Sequence, residues 1–316
     1  DGKTRTQALW LQDAWTLGSR FTLVYGGRYE WWKGFDGYNV NGAVKVTQPT
    51  IRDTRFSPKA ILTWAARADL TVTASVGKAY RFATAGELFQ LVTTGATYTA
   101  PNPDLKPDDV LASELRIDQR FDKARVQLAL FQDDVHDAII AQYLPLVSGS
   151  STLYSYVSNV DHVRARGVEV TMSTQGLGLP RLDLAGSVTY VDARVLALSG
   201  AANAAATPGA AVGKFLPNIP DWRASLQATY RASDQLGVSL AGRYSGTIYT
   251  TLDNADVYPN TYQGFSAWFV ADAKATYRLG RGVGLSLGVD NLLNRKYFLF
   301  HPFPQRTFVG SVTYDF

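Results

Sequence analysis

The chain of 316 residues is 46% hydrophobic and 18% charged, carries a net charge of +4 and contains 17 Tyr, 15 Phe, 7 Trp and no Cys. The charged share lies below the ~25% of an average soluble domain. Missing thiols exclude a disulfide framework, a Cys-ligated metal and a Cys nucleophile, and so mild a charge without a basic run argues against a nucleic-acid partner.

No stretch of about 18 apolar residues occurs, so no transmembrane helix is expected. The chain opens at Asp1 without Met, with Lys3 and Arg5 and no apolar core behind them, which is not a signal peptide.

The dominant hydrophobic period is two, the period of a strand. Thirteen alternating runs start near Thr6, Phe21, Phe56, Leu70, Leu111, Ala124, Leu153, Arg181, Asp221, Gly237, Ser266, Val283 and Thr307. Each is expected to be a strand, most near the ~10 residues that cross a membrane. In the ninth, Trp222, Ala224, Leu226, Ala228 and Tyr230 form one face, and Arg223, Ser225, Gln227 and Thr229 the other. The last sets Phe308, Gly310, Val312, Tyr314 and Phe316 against Val309, Ser311, Thr313 and Asp315.

Connections alternate in length. Short ones fall at 17–20, 66–69, 122–123, 175–180, 232–235 and 280–281; long ones at 33–54, 81–110, 144–152, 196–219 and 250–264. Within the second long one, 85–92 is expected to make one short helical turn. Tight turns on one side and long loops on the other are what a membrane barrel requires. The apolar faces end in aromatics suited to interfacial girdles. The opposite faces carry Arg223, Asp272, Lys274 and Arg278, and Arg or Lys toward lipid would cost ~2–4 kcal/mol at the midplane. The fold class is therefore all-β, a transmembrane antiparallel up-and-down barrel.

Four segments narrow this further. Asn102-Pro103-Asp104-Leu105-Lys106-Pro107-Asp108 resembles the Asn-Pro-x-Leu-Lys-Pro-Glu signature of TonB-dependent outer-membrane receptors, with Asp for the final Glu. Ala79 to Thr84 followed by Glu87-Leu88-Phe89 is similar to the segment that precedes it. Gly167-Val168-Glu169 is similar to the family's Gly-Val-Glu strand start, and Asp290 to Tyr297 resembles its Asn-Leu-Phe-Asn-Lys-Lys-Tyr stretch. Physically these read as architecture: Pro103 and Pro107 hold a loop returning to the wall, and Asn291 and Asn294 close turns.

The resemblance implies a 22-stranded barrel around an N-terminal plug, a type known for such transporters. Residues 1–316 would then be one partial barrel domain, its C-terminal thirteen strands, with plug and TonB-contacting segment absent. It implies a multi-pass outer-membrane receptor, siderophore-receptor-like, that imports a ferric siderophore or other large metal chelate. Its partners would be the TonB complex through a missing N-terminal segment, outer-membrane lipids, and the barrel-assembly machinery reading the terminal Phe316. An open sheet of thirteen strands would leave two edges unpaired in lipid, at several kcal/mol per group, which points to a piece of a larger wall. A passive porin and, further off, a barrel enzyme are the alternatives.

No catalytic, cofactor or metal residues are expected. Asp133, Asp134, His136 and Asp137 cluster in sequence, but strand alternation places Asp134 and His136 on one face and Asp133 and Asp137 on the other. No Gly-x-Ser-x-Gly elbow or phosphate loop occurs. Candidate ligand contacts are Tyr98, Tyr143, Tyr249, Tyr258, Tyr262, Phe300, His301 and Phe303, in or beside the long loops, because aromatic rings stack on aromatic chelates.

Overall fold

The computed structural model describes residues 1–41, 43–94, 97–145, 153–176, 178–199, 210–255, 261, 264–280, 282–299 and 301–315. In chain order it forms β1 (Lys3–Leu17), β2 (Phe21–Phe35), β3 (Tyr38–Asn41), β4 (Val44–Thr47), β5 (Ile51–Arg67), β6 (Leu70–Arg81), α1 (Ala85–Phe89), β7 (Val92–Thr94), β8 (Thr97–Thr99) and β9 (Asp108–Arg120). There follow β10 (Ala124–Pro145), β11 (Leu153–Gln175), β12 (Leu182–Ala197), β13 (Trp222–Arg231), β14 (Leu236–Ser245), β15 (Trp268–Gly280), β16 (Val283–Asp290), β17 (Phe298–Leu299), β18 (His301–Pro302) and β19 (Thr307–Tyr314).

Thirteen of these pair consecutively as a wall: β1-β2-β5-β6-β9-β10-β11-β12-β13-β14-β15-β16-β19. Every step of the wall is antiparallel. The thirteen runs read from the sequence are these thirteen strands. β3–β4 and β17–β18 are small hairpins inside long connections. β7 pairs with β8, and β8 runs parallel to the start of β11. Among the described residues no helix is long and apolar enough to cross a membrane.

The alternation resolves into two chemically distinct faces. Register places Trp222 opposite Tyr190, Leu226 opposite Gly186 and Tyr230 opposite Leu182. That face is apolar and exposed, with Leu226 at 53% and Leu287 at 71%. Aromatic pairs sit near both of its ends: Phe21 stacks on Trp64 at 6.0 Å by the short turns, and Tyr190 meets Trp222 at 4.8 Å by the long connections. An apolar band between two aromatic girdles is a lipid-facing surface. The other face is cross-linked by polar pairs: Arg28–Glu30 and Arg243–Asp272 at 3.0 Å, Arg116–Glu114 at 2.8 Å, and Arg125–Asp118 and Arg231–Asp183. Such exposed pairs stabilise by at most ~1 kcal/mol each, but they fit a wet lumen and no lipid.

Glycines let the wall pack where side chains need room. Gly167 faces inward beside Phe131; a Cβ there would meet the Phe131 ring at 2.6 Å and collide with the Tyr190 carbonyl. The Gly-Val-Glu start thus has a steric reason, a flat ring laid over a bare backbone.

Two expectations need correction. Several strands are far longer than ten residues: β10 has 22 and β11 has 23. Beyond Leu130 and Val168 their outward face turns polar, with Gln132, Asp134 and His136 opposite Arg166, Arg164 and His162, so the wall rises above the lipid band. Asp137 has a positive φ of 53°, and the ladder steps from His136–His162 to Ala138–Val160 past it. Simple alternation therefore fails at Asp137 itself, whose left-handed backbone takes it out of the ladder, while the pairing on either side keeps the same register.

β1 and β19 each have one neighbour among the described residues, and the sheet is open there. β1 runs toward the short turn at 18–20, and β19 runs away from the long connection at 291–306. The two edges therefore point the same way.

Candidate ligand vestibule

The described parts of the long connections lie at one end of the wall, and those after β6, β12 and β14 fold onto its inner face. The first follows β6. Thr84 caps α1, accepting from the Glu87 amide while the Glu87 carboxylate accepts from the Thr84 amide at 2.8 Å. This reciprocal capping satisfies two orphan donors, yet five residues are too few for a self-sustaining helix. Burial supplies the remainder: Leu88 is 0% and Phe89 1% exposed, packed with Trp32, Ala83, Leu105 and Ile139. Trp32 stacks flat on Phe82 at 5.4 Å.

Arg81 ties this turn to the wall. Its guanidinium donates to Asp108 at 2.7 Å, to Glu87 at 3.0 Å and to the Ile139 carbonyl at 3.1 Å. Burial works to raise the Glu87 pKa, but the Thr84 amide and Arg81 outweigh it and hold the carboxyl below its ordinary value. The segment 102–108 is stitched down beside it. Asn102 donates to the Val157 carbonyl at 2.8 Å; Lys106 N–H donates to Asn159 Oδ1 at 3.0 Å, and Asn159 Nδ2 donates back to the Lys106 carbonyl at 2.9 Å. These motif residues hold a loop across the mouth.

The second group comes from the connections after β12 and β14. Leu216 and Leu252 are buried against Val160, Val163, Ala193 and Val195. Asn254 clamps the two connections together, accepting from the Phe215 amide at 2.7 Å and donating to its carbonyl at 3.0 Å. Arg194 lies over the Phe215 ring at 4.1 Å, and Tyr249 stacks on that ring at 5.8 Å. Arg194 belongs to the outward-facing set, so Tyr249 sits at the rim.

The third group follows β16. Asn291, at φ 51° and 4% exposed, accepts from the Arg295 amide and donates to the Arg295 carbonyl, both at 2.8 Å. Asn294 accepts from the Arg306 amide at 3.1 Å. Both asparagines close turns, as their positions in the motif imply. The turns deliver a three-ring stack: Trp268 to Tyr297 at 4.9 Å and Tyr297 to Phe303 at 4.9 Å. Trp268 shares the inward face of β15 with Val270 and Asp272. Tyr297 is buried, whereas Phe303 remains 40% exposed at the end of the stack.

Of the candidate contacts, Tyr98 lies half-buried on β8, Tyr249 at the rim, and Phe303 at the mouth, with an exposed His301 two residues before it. Tyr143 is on β10. Tyr258, Tyr262, Phe300 and the terminal Phe316 lie outside the described residues. The candidates fall on different connections rather than one contiguous cluster. Phe215, Trp268 and Tyr297 were missed; only their aromatic character and nearness to loop ends could have flagged them. The His136 and His162 rings stack at 4.3 Å, and His162 bonds Asp134 at 3.1 Å. Among the described residues no three His, Asp or Glu side chains group to hold a metal ion.

The family described as TonB dependent receptor-like, beta-barrel, matches residues 1–292. The catecholate siderophore receptor Fiu of Escherichia coli K12 is 25% identical over 241 residues, covering 73% of this chain and 29% of that protein. The probable TonB-dependent siderophore receptor PiuA of Acinetobacter baumannii is 31% identical over 86 residues, covering 27% of this chain and 11% of that protein. Among solved structures, the copper transporter OprC superposes with a TM-score of 0.76 at 20% identity, covering 99% of this chain and 48% of the other. The closed form of Fiu superposes with a TM-score of 0.73 at 21% identity, covering 99% and 45%. The chain thus spans under a third of the curated relatives named here and about half of these solved chains.

Proposed function

Since this chain belongs to the TonB-dependent receptor β-barrel family, which resides in the outer membrane, we propose that it is the C-terminal share of the wall of a siderophore receptor. The intact protein captures a ferric siderophore at the cell surface and imports it with energy delivered through TonB. A catecholate is the favoured ligand class, because the Fiu relatives are catecholate siderophore receptors. Catalysis plays no part in this reading; the relatives are receptors.

The observation that most supports it is the inward-folded mouth. A porin needs an open lumen, whereas here α1 and the connections after β12 and β14 pack onto the inner face and the Trp268–Tyr297–Phe303 stack ends in an exposed ring. A planar catechol stacks on such a ring for ~0.5–1.5 kcal/mol beyond its area burial.

Strand direction supports the partial-wall reading. With both edges running the same way, antiparallel closure needs an odd number of further strands between β19 and β1. The ~22 strands of outer-membrane transporters would supply about nine. Such strands would also satisfy the edge amides and carbonyls, each costly when unpaired in lipid.

The test is uptake of an iron-labelled catecholate chelate by cells expressing the gene with all sequence that flanks this chain. Saturable uptake that stops when TonB is removed is expected. Uptake that rises linearly with concentration and ignores TonB would mean a passive pore. For the vestibule, unchanged chelate affinity after Tyr98→Ala, Tyr258→Ala and Phe303→Ala together would remove these residues from the site.

A further inference from the structure

Above the lipid band, the outward face of β10–β12 carries three arginines and two carboxylates whose arrangement is electrostatically incomplete. Arg164 stands directly opposite Arg194 in the β11–β12 register, and Arg166 opposite Asp192. Like charges directly opposed across a sheet repel. The carboxylates do not resolve this. Asp192 is shared between Arg194 at 2.5 Å and Arg166 at 3.5 Å. Asp134, opposite Arg164 on the β10 side, is instead engaged by Gln132 at 2.6 Å and His162 at 3.1 Å. Arg164 is half-buried and has no ion-pair or hydrogen-bond partner among the described residues. A half-buried guanidinium without a counter-charge is costly.

Immediately toward the midplane lies a groove of about 720 Å³ on the same outward face. Its floor includes Leu115, Leu130, Val168 and the girdle residue Tyr190, and Arg166 and Asp192 stand at its rim. Arg164 is the next outward position above Arg166, about 7 Å along the strand. One anion can therefore meet both guanidiniums while an apolar chain attached to it lies in the groove.

We propose that this patch binds a phosphorylated, acylated lipid of the outer leaflet, its phosphate between Arg164 and Arg166 and one acyl chain over Leu115, Leu130 and Val168. Guanidinium forks match phosphate oxygens in bidentate geometry. The height fits as well, because Arg166 sits one and Arg164 two outward positions beyond the Tyr190–Trp222 girdle, at the level of lipid headgroups. Neither the ligand of the vestibule nor the missing strands enter this inference.

The experiment uses the protein extracted from native outer membranes in mild detergent, with all flanking sequence, and reads lipid retention by native mass spectrometry. The probes are bis-phosphorylated lipid A, its dephosphorylated form, phosphatidylethanolamine and inorganic phosphate. Bis-phosphorylated lipid A should bind wild type, and Arg164→Gln with Arg166→Gln should weaken it about tenfold. The dephosphorylated form should not distinguish the two proteins. Val168→Trp, which fills the groove and leaves both arginines, should weaken the acylated probe alone. Equal retention by the arginine variant would overturn the proposal, as would the same loss with luminal Arg116→Gln or with phosphatidylethanolamine. Inorganic phosphate binding as tightly as lipid A would mean a free-anion site and overturn it too.

Discussion

Replacing Phe89 by alanine tests what holds the inward-folded loop. The ring is 1% exposed. It fills space left by Gly37, where a Cβ would stand 2.5 Å from it, and its carbonyl accepts from Asn39 Nδ2 at 2.6 Å. Truncating a buried Phe to Ala costs about 3–5 kcal/mol. A five-residue helix has little to set against that, since its capping box contributes only about 1 kcal/mol. The loss therefore raises the open population of the β6–β9 connection by roughly two to three and a half orders of magnitude. Hydrogen exchange reads this directly. Amides of Leu88, Gln90 and Asn102, bonded to the carbonyls of Thr84, Gly86 and Glu87 at 3.1, 2.9 and 3.1 Å, should lose protection by that factor. The β9–β10 ladder should stay protected. Unchanged exchange at these three amides would refute the claim that Phe89 burial holds the loop. Collapse of the wall ladder along with them would refute its being a local unit.

On β13, Leu226→Arg should destabilise the protein in lipid vesicles by ~2–4 kcal/mol while Gln227→Arg changes it little; equal costs in urea titrations would undo the face assignment. Glu87, with its folded pKa below the ordinary carboxylate value, contributes stability that is present above about pH 4.3 and lost as pH falls through the folded pKa. Acid should therefore open the α1 loop to protease nicking in wild type, whereas Glu87→Gln should nick more at neutral pH and show no acid step. Asn291→Ala should cost about 2–4 kcal/mol through lost side-chain bonds and a left-handed alanine. Asn291→Gly should recover about 1 kcal/mol of it by accepting the positive φ; identical unfolding midpoints for the two would deny the conformational part.

What was legible in the sequence is what alternation and turn chemistry encode locally. Residues two apart share a face, so Trp222 to Tyr230 announced a strand, its lipid side and its girdle ends without reference to any other segment. Thr84 and Glu87 lie three apart, and their capping box needs no distant partner. Asn291 and Asn294 close turns within their own neighbourhood. Four short segments, taken together in their order and spacing, pointed to the family from residues adjacent in the chain. The tertiary structure decided everything that depends on register between strands. That Arg164 faces Arg194, and that Asp134 is taken by His162 instead, follows from hydrogen-bond ladders joining residues 28 or 30 positions apart. The same holds for Phe89 under Trp32, Tyr249 on Phe215, and Trp268 beneath Tyr297 and Phe303. Period two fixes which side of its own strand a residue takes, but a bulge such as the register shift between His162 and Val163 against β12, or a slip of one residue, changes which side chain it meets. The contacts that build the mouth and the outer patch therefore exist only once the ladders are paired.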